Sequence, residues 1–196
     1  MMPEEAGDYT SSCSDDEERV LREFLEMPLE GTDAVFRKFL DLDMPGTIHE
    51  KGKGDFQEFL YIPGSRKDRV VLVAHADTYW DSRLAKLENT KYRTQKKLTS
   101  SMRNGRLVFR NEYGTEHNRN GGLGADDRAG CAILWILRQD RGFGHSILIT
   151  DGEEHGQRAS NWLRDSHPQL FQELNQKHQF ISRRLRMLRY RLGVPG

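Results

Sequence analysis

The order of its segments predicts an α/β protein, a three-layer α/β/α domain built around a mixed, mainly parallel sheet. Three observations predict it. Runs of strand length alternate with helical stretches from about residue 56 to residue 178, an order that implies right-handed crossovers and helices on both sheet faces. The runs VVLVA at 70–74 and SILIT at 146–150 are nearly all apolar, as expected of strands covered on both faces. Polar segments rich in glycine and acids follow such runs directly, at the carboxyl ends where sheets of this kind gather ligands. At 196 residues the chain can bury one such core but not a second full domain.

Taken in order, residues 1–14 read as a disordered acidic tail. Residues 15–29 place Val20, Leu21, Phe24 and Leu25 at helical spacing, with acids in the first turn where the helix dipole favours them. Thr32 can cap a second helix over 33–42, with Val35, Phe36, Phe39 and Leu40 on one face. Strands follow at 56–62 and 69–74, separated by the turn Pro63-Gly64-Ser65. Residues 81–120 are polar and lack helical pattern, apart from a strand at 106–110. AGCAILWIL at 129–137 predicts a buried helix beginning near Asp126. A strand at 145–150 leads to a helix around 157–164. Ser166 is then expected to cap a last helix over 168–178, with proline tolerated in its first turn, and a strand follows near 179–181. The domain is therefore expected to span 15–181, with 182–196 as a basic tail.

Composition narrows the partners. Thirty acids balance thirty bases, so net charge gives no reason to expect nucleic acid or an anionic membrane. The balance hides an asymmetry: ten acids and two arginines in the first 30 residues, against five arginines and no acid in SRRLRMLRYR at 182–191. Two cysteines, Cys13 and Cys131, argue against a disulfide framework and for a reducing compartment. No secretory signal pattern or membrane-length apolar run is present, so a cytoplasmic protein is expected.

Three segments carry candidate chemistry. His75 ends an apolar run, and Asp77 lies two residues on, on the same side of an extended chain. The imidazole could ligate a metal while the carboxylate holds its other nitrogen, although an ordinary loop after a strand reads the same way. GLGADDRAG at 122–130 precedes the buried helix. Aspartate capping accounts for it, and so does an Asp126 carboxylate bridging two cations roughly 3.5–4 Å apart. Glu153 and Glu154 follow the strand ending at Thr150. Adjacent carboxylates there repel unless a metal or protons compensate. Either they form a surface acidic pair, or one binds a cation while the other takes a proton from water.

Together AHAD at 74–77, GLGADDRAG at 122–130 and DGEEHG at 151–156 resemble the motifs of the co-catalytic zinc exopeptidases. That group contains bacterial leucyl aminopeptidases, peptidase T and carboxypeptidase G. Order and spacing also match, over about residues 56–178. The resemblance implies an exopeptidase-like core and two Zn2+ ions, with Co2+ or Mn2+ as alternatives. It implies that His75 ligates one metal, Asp77 orients it, Asp126 bridges, Glu154 ligates the second and Glu153 is the general base. It further implies a cis peptide at Asp126–Asp127. The substrate would be a peptide or small amide cut near its terminus, no nucleic acid or membrane would be bound, and a homodimer is allowed.

The match is incomplete. The resemblance also calls for an aspartate after the next strand and a later histidine. No acid follows Glu173, and neither His167 nor His178 is suitably placed. The basic tail after residue 181 reads as a truncated or frame-shifted version of a longer gene. A catalytically inactive remnant or interaction module that keeps the fold is the alternative.

Overall fold

The computed structural model describes residues 15–66, 70–81, 83, 98–103, 106–111, 124–139, 144–177 and 179–180. The tails expected at 1–14 and 182–196, and most of 81–120, lie outside the described residues.

Two amphipathic helices open the chain, α1 (Asp15–Glu26) and α2 (Asp33–Leu40). The first stops short of residue 29 because Pro28 disfavours helical geometry in the residue before it. Thr32 occupies the N-cap of α2, where its carbonyl accepts from Val35 and Phe36 while its side chain makes no capping bond. Strands β1 (Ile48–Lys51), β2 (Glu58–Ile62) and β3 (Val70–His75) follow, then a hairpin of β4 (Leu98–Arg103) and β5 (Arg106–Asn111). Helix α3 (Ala125–Gln139) leads to β6 (Ser146–Thr150), then α4 (Arg158–Ser166), α5 (Pro168–Lys177) and the short β7 (Gln179–Phe180). Ser166 is the last residue of α4 rather than the cap of α5. His167 takes the cap position, its carbonyl accepting from the Phe171 amide at 2.9 Å.

The main sheet has the order β1-β2-β6-β3-β7. β6 pairs in parallel with β3, and β3 with β7, whereas β2 is antiparallel to both β1 and β6. Four of the five strands therefore point the same way, and β2 alone is reversed. β1 was not evident in the sequence because it is an edge strand with three exposed residues of four. Its place is set by main-chain pairing with β2 rather than by an apolar face.

The period-two alternation of strands sorts the core into two sides. Leu60, Ile62, Ala74, Ile147 and Ile149 face α1, α2 and α3, which contribute Phe24, Phe36, Phe39, Cys131 and Trp135. Phe59, Tyr61, Val71 and Leu148 face α4 and α5 through Leu163 and Leu174. This is the three-layer arrangement. After β3 and the β4–β5 hairpin the chain enters α3 on one face, and chain leaving β6 enters α4 on the other. The loops after these adjacent parallel strands thus diverge, opening the crevice in which α/β sheets place their ligands.

Candidate metal centre

In that crevice His75 stands directly opposite Thr150, and the Ala76 amide donates to the Thr150 carbonyl at 2.8 Å. The register brings the residues after β3 against the turn after β6. His75 is buried. Its Nδ1 lies 3.0 Å from the Asp77 carbonyl and 3.4 Å from Asp77 Oδ1. A proton on Nδ1 is satisfied there, so Nε2 is the atom that a metal would take. Nε2 is 3.1 Å from Asp126 Oδ1 and 3.8 Å from Glu153 Oε2.

Asp77 has a second role that was not evident in the sequence. Its fully buried carboxylate accepts the amide of Glu153 on Oδ1 at 3.1 Å and that of Glu154 on Oδ2 at 3.0 Å. One side chain therefore fixes both the imidazole and the glutamate turn. That turn requires Gly152, whose φ is +68°, and a Cβ there would sit 2.5 Å from the Phe56 Cβ.

The two aspartates at the start of α3 divide the two readings of their motif. Asp127 Oδ1 accepts the Gly130 amide at 3.1 Å and caps the helix, while Asp126 turns to His75. The bond between them is cis, as the resemblance implies. Gly124 before them has φ +64°, and a Cβ there would run into the Leu29 side chain.

Among the described residues, His75, Glu153 and Glu154 form a group whose donor atoms all lie within 4.8 Å of one another. Asp126 touches the group through His75 and is the more open member, with its side chain 56% exposed. Burial works against a charge on His75, but the hydrogen bond and charge of Asp77, with Asp127 and Glu153, outweigh it and raise its pKa to about 9. Burial also opposes the Asp77 carboxylate, and the bonds from His75 and the two amides still hold its pKa down. Glu154 is pushed up by burial and by the charges of Asp126, Glu153 and Asp77, against the pull of His75. Several acids thus converge on one imidazole in a partly dehydrated crevice, an arrangement a cation relieves.

Beside this group lies a charged cluster that sequence reasoning missed. Arg83 donates from Nε and Nη2 to Asp81 at 2.9 and 2.7 Å, and from Nη1 and Nη2 to Asp151 at 2.8 and 2.9 Å. Burial pushes Asp151 up to about 6, against the pull of Arg83. Asp151 was visible in the DGEEHG motif, whereas Asp81 and Arg83 sit in the stretch without pattern. Arg128, fully buried, donates from Nη2 to the carbonyls of Pro28 and Gly31 at 3.1 and 2.7 Å. Thr78 donates to Leu29 O at 3.1 Å, so the α1–α2 connection is tied down beside the crevice.

No protein-family model matches this chain, and no curated protein matches it. Solved structures do. The chain is similar to the aminopeptidase PepT from Bacillus cereus, at 20% identity and TM-score 0.46, over 74% of this chain and 39% of that one. It is similar to a tripeptidase from Staphylococcus aureus at 18% identity and TM-score 0.49, over 76% and 40%. It is also similar to the aminoacylhistidine dipeptidase from Vibrio alginolyticus at 18% identity and TM-score 0.45, over 77% and 30%. The chain thus spans two-fifths or less of the length of these proteins.

Proposed function

We propose that this chain carries a divalent metal centre and belongs to hydrolytic chemistry on a peptide or small amide bond near a chain terminus. The observation that carries the proposal is the convergence of His75 Nε2, Asp126 Oδ1 and the Glu153 and Glu154 carboxylates at the carboxyl ends of β3 and β6. The donor set suits zinc, which accepts imidazole nitrogen and carboxylate oxygen together; cobalt and manganese accept the same atoms. His75, Asp126 and Glu154 would hold such ions, in keeping with the motif resemblance. Bound there, they supply a Lewis acid for the scissile carbonyl and lower the pKa of water.

The remaining work falls to the chain. Asp77 holds His75 in one tautomer and, through the two amides, keeps Glu153 and Glu154 at the crevice. Glu153 takes the proton of the attacking water on a carboxylate oxygen and returns it to the departing amine. The same reading includes a cytoplasmic setting, in keeping with the free, buried Cys131, and a homodimer.

Zinc-loaded protein assayed against dipeptides and tripeptides tests this. Glu153→Gln should keep its metal and lose about 10²–10⁴ in kcat, the usual worth of a general base, whereas Glu154→Gln should lose metal. A metal-loaded wild type that hydrolyses no terminal peptide or amide bond would overturn the proposal.

A further inference from the structure

We infer that Arg83 is a positioning residue for the metal centre: it locks the turn carrying Glu153 and Glu154 to the strand end carrying His75. The inference rests on the metal reading given above. Among the described residues, the hydrogen bonds of the Arg83 side chain go to Asp81 and Asp151 and not to the candidate ligands. Its guanidinium instead forks two carboxylates at once, one on each of the loops that supply them. Asp81 belongs to the turn just past His75 and Asp77, where its amide donates to the Thr78 carbonyl at 3.0 Å. Asp151 is the first residue after β6, and its Oδ1 also accepts the Gly152 amide at 2.8 Å. Both side chains are essentially sealed from water, at 0% and 1% exposure.

The plane of the fork is itself constrained. The Arg83 guanidinium lies 4.3 Å over the Phe56 ring, and Phe56 is the buried side chain that closes on Gly152. Phe56 also packs against His155 at 5.4 Å, so one ring contacts the guanidinium and both ends of the glutamate turn. Asp77 grips that turn by its amides at Glu153 and Glu154, and Arg83 grips it one step earlier through the Asp151 carboxylate. The turn also has main-chain bonds to β2 and to the start of α4, and Asp77 and Arg83 are its side-chain attachments to the chain after β3, made at different points. Charge alone does not achieve this, because only a planar, two-edged donor can engage both carboxylates in pairs.

Arg83→Lys separates the two roles, since it keeps a positive charge between the aspartates and removes the fork. Asp151→Asn is a second variant, in which Arg83 remains paired with Asp81 and no charge is stranded. Amide hydrogen exchange is read on the metal-free proteins, and zinc affinity is read by competition with a chromophoric chelator.

In folded Arg83→Lys, the amides of Glu153 and Glu154 should exchange about 10-fold faster while those of β6 are unchanged. Zinc affinity should fall about 10–100-fold, the usual cost of losing a partner that orients ligands. Asp151→Asn should move both in the same direction by less. Unchanged exchange at the turn in both folded variants would overturn the inference, as would faster exchange with wild-type zinc affinity. If wild type takes up no zinc, the metal reading falls, and the exchange data alone decide whether Arg83 orders the turn.

Discussion

Replacing Asp77 with asparagine tests the clasp at the centre of the site. The carboxylate now accepts two backbone amides, Glu153 at 3.1 Å and Glu154 at 3.0 Å, and faces His75 Nδ1 at 3.4 Å. Asparagine has the same shape but only one acceptor oxygen. Whichever way it is turned, one of the two amides meets an NH2 group. The variant therefore loses one hydrogen bond to a charged acceptor, worth about 1.5–3 kcal/mol. The surviving bond becomes neutral and weakens by roughly half, or about 0.75–1.5 kcal/mol. The sum is about 2–4.5 kcal/mol out of the roughly 5–15 kcal/mol that holds a domain together. For a chain of this size the melting temperature of the metal-free protein should drop by about 4–18 °C. Zinc affinity should fall about 10–100-fold in parallel, because the turn carrying Glu154 loses an attachment and His75 loses the facing carboxylate charge, keeping only its bond to the residue 77 carbonyl. Thermal melts followed by circular dichroism read the first quantity, and chelator competition reads the second. A variant melting within about 2 °C of wild type would refute the view that this carboxylate joins the two loops.

Other perturbations have equally definite expectations. Gly152→Ala combines a left-handed φ of +68° with a Cβ 2.5 Å from that of Phe56. It should destabilise by about 2–5 kcal/mol in a urea melt, backbone and overpacking costs together. Gly156→Ala shares the positive φ, at +75°, but meets nothing within 4 Å, so about 1–2 kcal/mol is expected there. Equal losses would remove Phe56 from the explanation. The Cys131 thiol is buried, donates to the His75 carbonyl at 3.4 Å, and is pushed upward in pKa chiefly by burial. In a Cys13→Ser background it should react with Ellman's reagent only as fast as the chain unfolds, and rapid labelling of folded protein would contradict the packing. Zinc at 100 times its dissociation constant should stabilise the fold by about 2.7 kcal/mol, or about 5–11 °C, with a chelator reversing the shift.

The legible parts of the fold were those whose signal lies in contiguous residues. β3 and β6 appear as short apolar runs because both of their faces are covered, and α3 appears because Cys131, Leu134 and Trp135 recur on its buried side. β1 and β4 carry no such pattern. Ile48 is the one apolar residue of β1, and the sequence LTSSMR of β4 is mostly polar. Main-chain pairing defines these strands, and pairing partners cannot be read from one strand alone. The same division holds at the site. His75, Asp126, Glu153 and Glu154 each stand directly after or before an element whose type was evident, so their meeting followed from the sheet. The Asp77 clasp and the Arg83 fork join residues 76, 77 and 68 positions apart. Such links depend on the β3–β6 register and leave no local trace in composition or spacing.

Elemental analysis of purified, folded protein, with Asp126→Asn alongside, reads whether these residues hold metal. Close to two zinc ions per chain, falling well below that in the variant while the fold is retained, is the predicted result. Zinc near zero in folded wild-type protein supplied with the metal would mean that His75, Asp126 and Glu154 form no metal centre.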